Sequence, residues 1–420
     1  MKNNILILIV FLPLIVEAQL KKNISFDQYI EQVQQKNIAY AAEKLNISIA
    51  DANITSAKIF LDPSLSVEYA YNDDHRMQMG QGISAELSKT FSVGKRKVKI
   101  DFANKEKERD LALLEDYFRN LRAEASITYL EAIKQEKLYE VQLKSYYSIS
   151  ELAKGDSIRF VLGKITAVDA LQSRIEADII YNELLQAQSE LYHAYAALYI
   201  PMGQFNADTL YVPIGSLNMR KRIWDLPPLL SQSLENRSDL VASLKEVELA
   251  QKALKLAKRE KNIDFDVALG YNYNTEVRNE LAPAPKFQGL TLSVSIPLKF
   301  SNFNKGSVSI GNLQARQAEN HYEQAQLEIK TEVSQNYHAY QSFCKQVENF
   351  TKGILEEAKA GLDGKIYSYQ RGENSLLEVL DARRTYNNVQ STYIETLFQC
   401  ALSLIEIEKS VGIWDIKVEP

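Results

Sequence analysis

Two segments decide the fold: Phe265-Asp-Val-Ala-Leu-Gly-Tyr-Asn-Tyr-Asn274 and Gly289-Leu-Thr-Leu-Ser-Val-Ser-Ile-Pro-Leu-Lys-Phe300. In the first, Phe265, Val267, Leu269, Tyr271 and Tyr273 oppose Asp266, Ala268, Gly270, Asn272 and Asn274. In the second, Leu290, Leu292, Val294, Ile296, Leu298 and Phe300 oppose Thr291, Ser293, Ser295, Pro297 and Lys299. The pattern also occurs twice earlier. Leu65, Val67, Tyr69 and Tyr71 alternate with Ser66, Glu68, Ala70 and Asn72; Ile83, Ala85, Leu87 and Phe91 alternate with Ser84, Glu86, Ser88 and Thr90. Period-two alternation over about 9–11 residues predicts a strand with one apolar face. Aromatics gather near the segment ends, as a membrane-interface girdle requires. Lys89 falls on the apolar face, near an end where its ammonium can snorkel.

Most strands of this kind belong to a soluble antiparallel sheet packed on a core. Here no other β segment is evident to build a second layer, and the flanking helical patterns are far too long to cover one sheet compactly. Four strands cannot close a barrel, and an open sheet in lipid leaves its edges unsatisfied. Three chains supply about twelve strands, enough to enclose a lumen. The expectation is a shared barrel, and so an obligate homo-oligomer.

The chain is a tandem duplication. Glu31 to Lys58 and Ser231 to Lys258 are Ala-rich helical patterns, each leading into one pair of alternating segments. Further on, Phe160-Val-Leu-Gly-Lys-Ile-Thr-Ala-Val-Asp169 matches Tyr369-Gln-Arg-Gly-Glu-Asn-Ser-Leu-Leu-Glu378, and the same offset carries Gly203 onto Gly412. Several matches in one order are the mark of a repeat. Long helical stretches are predicted from about Lys95 to Lys154, which at 1.5 Å per residue is about 90 Å, and from about Lys305 to Tyr369. Return helices are predicted over Ile165–Tyr199 and Ser375–Val411. The first repeat then covers 19–212, with strands at about 64–72 and 82–92 and a helical hairpin at about 95–200. The second covers 229–420, with strands at about 265–274 and 289–300 and a hairpin at about 305–412. Pro213, Pro227 and Pro228 mark 213–228 as the linker between them. The fold class expected is mostly α with a small β part.

Composition narrows the function. Of 420 residues, only 16 are Gly and 10 Pro, which favours long uninterrupted elements. A formal charge of -5 argues against a nucleic-acid binder. Two cysteines, Cys344 and Cys400, exclude a disulfide framework and a thiolate cluster, and leave their redox state open. Four scattered histidines speak against a metalloenzyme, and no phosphate loop, nucleophile elbow or zinc motif appears, so neither cofactor nor catalysis is expected. His75-Arg-Met77-Gln-Met79 reads as an exposed loop rather than a soft-metal site. Residues 1–18 read as an export signal: Lys2, an apolar run from Ile5 to Val16, and small residues ending at Ala18. That run is too short to cross a bilayer, and no later run is long enough, which leaves a closed β-barrel as the route into lipid.

At this point the chain resembles the TolC-type outer membrane efflux channels over nearly its whole mature length. Its most specific local elements are Val161-Leu162-Gly163…Thr166-Ala-Val-Asp169, Tyr367-Ser-Tyr-Gln-Arg-Gly372…Leu376-Leu-Glu-Val-Leu-Asp381-Ala-Arg, and the strand exit Ser295-Ile-Pro-Leu298. The resemblance implies a homotrimer: a 12-stranded transmembrane barrel, four strands per chain, continued by a long periplasmic helical barrel. Loops near Asp73–Gln81 and Thr275–Gln288 would face outside. The partners implied are outer membrane lipid, a periplasmic adaptor and an inner-membrane pump of RND, ABC or MFS type. Gly163 and Gly372, with Leu162, Arg371 and Tyr369, would form the hairpin tips that meet the adaptor. Glu378 and Asp381, spaced i, i+3 on one helical face, with Asp169 as the first-half counterpart of Glu378, would form acidic rings at the constriction. Rings of like charge favour cations and raise neighbouring carboxyl pKa values. The family often carries an Arg two residues beyond the second tip glycine; Asn374 stands there, with Arg371 and Arg384 as alternatives for locking the closed tip. The competing reading is a periplasmic coiled-coil scaffold or adaptor without a transport role, its strands forming a soluble sheet.

Overall fold

A computed structural model describes residues 20–71, 78–206, 208–298 and 304–418. The segment read as an export signal lies outside these residues, as do His75, Met77, Lys299 and Phe300. The chain runs β1 (Leu20–Ile24), α1 (Phe26–Lys36), α2 (Ile38–Lys58), β2 (Ser64–Ala70), β3 (Gly82–Phe91), α3 (Lys95–Val161) and α4 (Ala167–Ala197). Next come the single turn α5 (Tyr199–Met202), β4 (Thr209–Pro213), α6 (Leu226–Asn236), α7 (Ser238–Arg259), β5 (Phe265–Asn274) and β6 (Phe287–Ser295). Then follow α8 (Lys305–Asn349), a π-helical turn (Phe350–Ile354), α9 (Leu355–Gln370) and α10 (Leu376–Val411). Two compact units emerge, and each draws on both halves of the chain. One contains Ala42–Asp116 and Arg237–Ile329; the other contains Tyr117–Asn236, Lys330–Pro420 and the chain up to Ala41.

The first unit holds one antiparallel sheet of order β2-β3-β5-β6. Because β3 pairs with β5, the two hairpins join into a single layer, and β2 and β6 are its edges. Helical residues of this unit are tied by charge: Lys105 and Glu108 of α3 pair crosswise with Glu248 and Lys245 of α7, at 2.8 and 3.0 Å. Arg96, in the first turn of α3, donates to the free Lys58 carbonyl at the end of α2. That carbonyl is one of the acceptors a helix C-terminus leaves unpaired.

The second unit is built around Tyr129, which is fully buried between the rings of Phe26 and Tyr29. Its hydroxyl lies 2.9 Å from the Ile24 carbonyl and 2.6 Å from that of Ile214. These contacts cap one end of a short parallel sheet that the alternation pattern did not reveal: β1 pairs with β4, Leu20 opposite Thr209 through Ile24 opposite Pro213. The expectation of no further β segment is therefore corrected. Five-residue strands such as Leu-Lys-Lys-Asn-Ile are too short and too polar to show a period, and a parallel pair draws on distant parts of the chain. Within 213–228, the stretch expected as a linker, Leu217 belongs to this core and Met219 packs against it.

The predicted second long helix is also corrected, because it is interrupted at Phe350–Ile354. There Gly353 leaves helical backbone, at φ 163° and ψ -33°, between two stretches of good helical composition. Gly203 and Gly412, matched in the repeat, both adopt the left-handed conformation that ends a helix.

Candidate functional site

The sheet register turns sequence alternation into a surface. Leu65, Leu87, Leu269 and Leu292 form one continuous cross-strand row, and Val67, Ala85, Tyr271 and Leu290 form the next. The opposite face carries Ser66, Glu86, Gly270 and Thr291, then Glu68, Ser84, Asn272 and Gly289. The apolar face is bare within the chain: Leu65 is 68% exposed, Leu292 73% and Leu290 77%. Aromatics flank the leucine rows: Tyr69 and Tyr71 stack at one end, Phe91 and Phe265 at the other. From Ile83 to Phe91 the strand covers about 27 Å. A tilt of about 40° brings this to about 20 Å, close to the roughly 25 Å apolar band of outer-membrane barrels. A contiguous apolar surface of this size marks an interaction site, and its girdled shape fits lipid.

The turn motifs explain why two separate stretches of sequence look alike. After α3, Gly163 takes φ +69°, with Gly163 N–H donating to the Phe160 carbonyl and Lys164 N–H to that of Arg159. After α9, Gly372 takes φ +79°, with Gly372 N–H donating to Tyr369 and Glu373 N–H to Ser368. Both are Schellman turns, whose left-handed residue favours glycine. Open space surrounds each glycine, so the backbone conformation, and not crowding within the chain, selects it. Each turn then opens the return helix with a reciprocal capping box, Thr166 with Asp169 and Ser375 with Glu378.

Asp169 and Glu378, read from the resemblance as constriction acids, therefore also start α4 and α10. Glu378 is exposed and pairs with Lys365 at 2.6 Å. That ammonium first, and the Ser375 N–H second, hold its carboxyl below the usual range. Asp381 is exposed one turn further along α10. Leu162 is exposed, with Val161, Val168, Tyr367 and Leu377 as further exposed apolar groups at the turns. Arg371 is exposed and stays on its own turn, pairing with Glu373 at 2.9 Å and donating to the Tyr367 hydroxyl.

Tyr369 is a correction. It is 5% exposed, part of an apolar cluster with Ile149, Ala153, Val379 and Leu380, and so is no surface docking residue. Its hydroxyl donates to the buried Asp156 carboxylate at 2.9 Å, beneath the guanidinium of Arg159. Burial raises the Asp156 pKa, against hydrogen bonds from Tyr369 and Ser173 and the charge of Arg159. Arg159 also donates to the Gln370 carbonyl at 2.6 Å, joining α3 to the end of α9.

Arg384, one of the two alternatives for a locking arginine, bridges α10 to Glu176 of α4 at 2.9 Å. Its neighbour Arg383 is buried and donates to the Ser145 carbonyl and the Ser148 hydroxyl of α3. Sequence reading missed Asp156, Arg159 and Arg383, because a charge inside a helical pattern reads as a solvated face. The capping boxes did carry a signal, Thr/Ser-x-x-Asp/Glu after a glycine. Among the described residues no group of three or more His, Cys, Asp or Glu could hold a metal ion.

Comparisons with known proteins agree with this geometry. Residues 229–413 match the family model described as outer membrane efflux protein. The cobalt-zinc-cadmium resistance protein CzcC of Cupriavidus metallidurans is 23% identical over 379 residues, 90% of this chain and 86% of that protein. The solved structure of CusC, described for transmembrane channel formation, superposes with a TM-score of 0.76 at 16% identity, covering 93% of this chain and 92% of that one. The CmeC outer membrane channel of Campylobacter jejuni gives 0.76 at 16% identity, covering 92% of this chain and 85% of that one. The matched second half shares its turn, cap and strand motifs with the first half, and the fold likeness spans both. The chain is thus similar to outer membrane efflux proteins over residues 229–413, and to the fold of CusC and CmeC over nearly its whole length.

Proposed function

We propose that three copies of this chain close a twelve-stranded barrel in the outer membrane and form the passive exit duct of a tripartite efflux system. The observation that carries the reading is the four-stranded sheet with two edges and one bare apolar face. Three such sheets, joined β6 to β2, pair every edge and turn the leucine rows to lipid. A soluble scaffold would cover that face, so the scaffold reading is set aside. Residues 1–18 serve as the export signal. No catalytic chemistry is needed: the duct conducts, and an inner-membrane pump of RND, ABC or MFS type supplies the energy through an adaptor.

In this reading the adaptor meets the hairpin turns at Gly163, Gly372, Leu162 and Arg371. Glu378 and Asp381, three copies of each, line the constriction, with Asp169 as the partner position in the first hairpin. Lys365 neutralises part of that charge, so Asp381 contributes the more open ring. The CzcC likeness makes cobalt, zinc and cadmium ions the first cargo to test. Cells lacking the chain should lose tolerance to these ions and regain it from a plasmid copy. Unchanged tolerance to these ions and to drugs would refute the efflux role. In planar bilayers Glu378→Ala with Asp381→Ala should weaken cation block or raise conductance; unchanged currents would remove both residues from the constriction.

A further inference from the structure

We propose that Cys344 of α8 and Cys400 of α10 close a disulfide in the exported chain, pinning the two helices together within the second hairpin. They are the two cysteines of the sequence, so neither has a competing partner within the chain. Both are thiols in this structure, and the two sulfurs lie 2.7 Å apart. Sulfurs this close need only a small further approach to reach the S–S distance of a disulfide, about 2.05 Å. The pair is also reachable: it lines an open cavity of about 470 Å³ with Tyr340, Lys221, Glu348 and Leu404. Lys221 forms an ion pair with Glu348 at the rim of this cavity.

The hydrogen bond between the two sulfurs and the charge of Lys221 favour a thiolate in the pair. The thiolate is the nucleophile in disulfide exchange. One thiolate of the pair attacks one sulfur of an oxidant disulfide, either a small molecule such as oxidised glutathione or a thiol oxidoreductase. One oxidant thiolate leaves, and a mixed disulfide remains on that cysteine. The other cysteine, deprotonated as the first step ends, then displaces the second oxidant thiolate. Two chain thiols are oxidised, one disulfide is reduced to two thiols, and the two protons pass to them. The cross-link encloses residues 345–399, which contain the π-helical turn, α9 and the Gly372 turn. It fixes the hairpin at this level, with the interrupted segment inside the closed loop.

The inference rests on the export reading for its oxidising compartment, so the test has two arms. In the first, purified full-length chain in detergent is reduced, freed of reductant and exposed to oxidised glutathione. After denaturation it should take up no N-ethylmaleimide, and two per chain after renewed reduction; two before reduction would overturn the proposal. In the second arm, cells are quenched with acid before labelling, and a parallel sample is fractionated. Free thiols in chain recovered from the outer membrane would overturn the cross-link and leave the duct standing. Chain recovered outside the envelope would overturn the duct reading, and the purified arm would then decide the cross-link alone.

Discussion

Replacing Leu292 by arginine measures what the apolar face of the sheet meets. Leu292 shares a row with Leu65, Leu87 and Leu269, and Leu87 lies midway between Ile83 and Phe91 on its strand. That row therefore sits near the middle of the apolar band. In an outer-membrane barrel an arginine facing lipid at the midplane costs about 2–4 kcal/mol, falling toward the interfaces. This corresponds to about a 30- to 700-fold drop in the folded-to-unfolded ratio per chain. If the same face met water, arginine at so exposed a site would change stability by less than about 0.5 kcal/mol. The control is its neighbour Ser293, on the opposite face against Ala268. Ser293→Arg should be nearly neutral, since the proposed barrel turns that face toward an aqueous lumen. The assay is urea-induced unfolding of the full chain in lipid vesicles, followed by the gel mobility of the folded oligomer, with the midpoint and slope read for both variants. A large loss for Leu292→Arg with little for Ser293→Arg supports lipid contact. Equal effects, or none for Leu292→Arg, would refute it.

Three further outcomes follow from local geometry. Gly163→Ala should cost about 1–2 kcal/mol, the penalty of left-handed backbone alone; Gly203→Ala should cost clearly more, since its new Cβ would collide with the Lys36 carbonyl and lie 2.9 Å from Asn37 Cα. Thermal melts of both variants check this ranking, and equal melting temperatures would contradict it. Thr166→Ala and Ser375→Ala should each lose about 0.5–2 kcal/mol by removing an N-cap, with the loss showing as faster hydrogen exchange in the first turns of α4 and α10. Asp156 gives a pH signature. Its folded-state pKa is raised by burial, so its stabilising share is full below the ordinary carboxyl value and is lost as pH rises through the raised value. Asp156→Asn, tested against the unchanged Tyr369, Arg159 and Ser173 around it, should flatten the fall of melting temperature with rising pH in that window; an unaltered profile would show that Asp156 is ionised as freely as in the unfolded chain.

The sheet was legible because period-two alternation is a local signal: each strand announces its own apolar face, and matched faces let Leu65, Leu87, Leu269 and Leu292 fall in one row. The tips were legible for a related reason. A left-handed glycine and a Thr/Ser-x-x-Asp/Glu box need particular residues at fixed spacing, so duplication preserved them at Gly163 and Gly372. Features that depend on distant partners were not legible. The pairing of β1 with β4, the burial of Tyr369 over Asp156 and the bridge from Arg383 to Ser145 all join segments far apart in the chain. The break at Gly353 was hidden because a single glycine inside a long helical pattern is usually tolerated.

The central claim is that the edges β2 and β6 find their partners only in sister copies. Native mass spectrometry of the full chain released from outer membranes into lipid nanodiscs tests it directly. The account predicts a complex of three chains that falls apart only as the sheet unfolds. A folded single chain, stable in lipid or in detergent-free buffer, would contradict it.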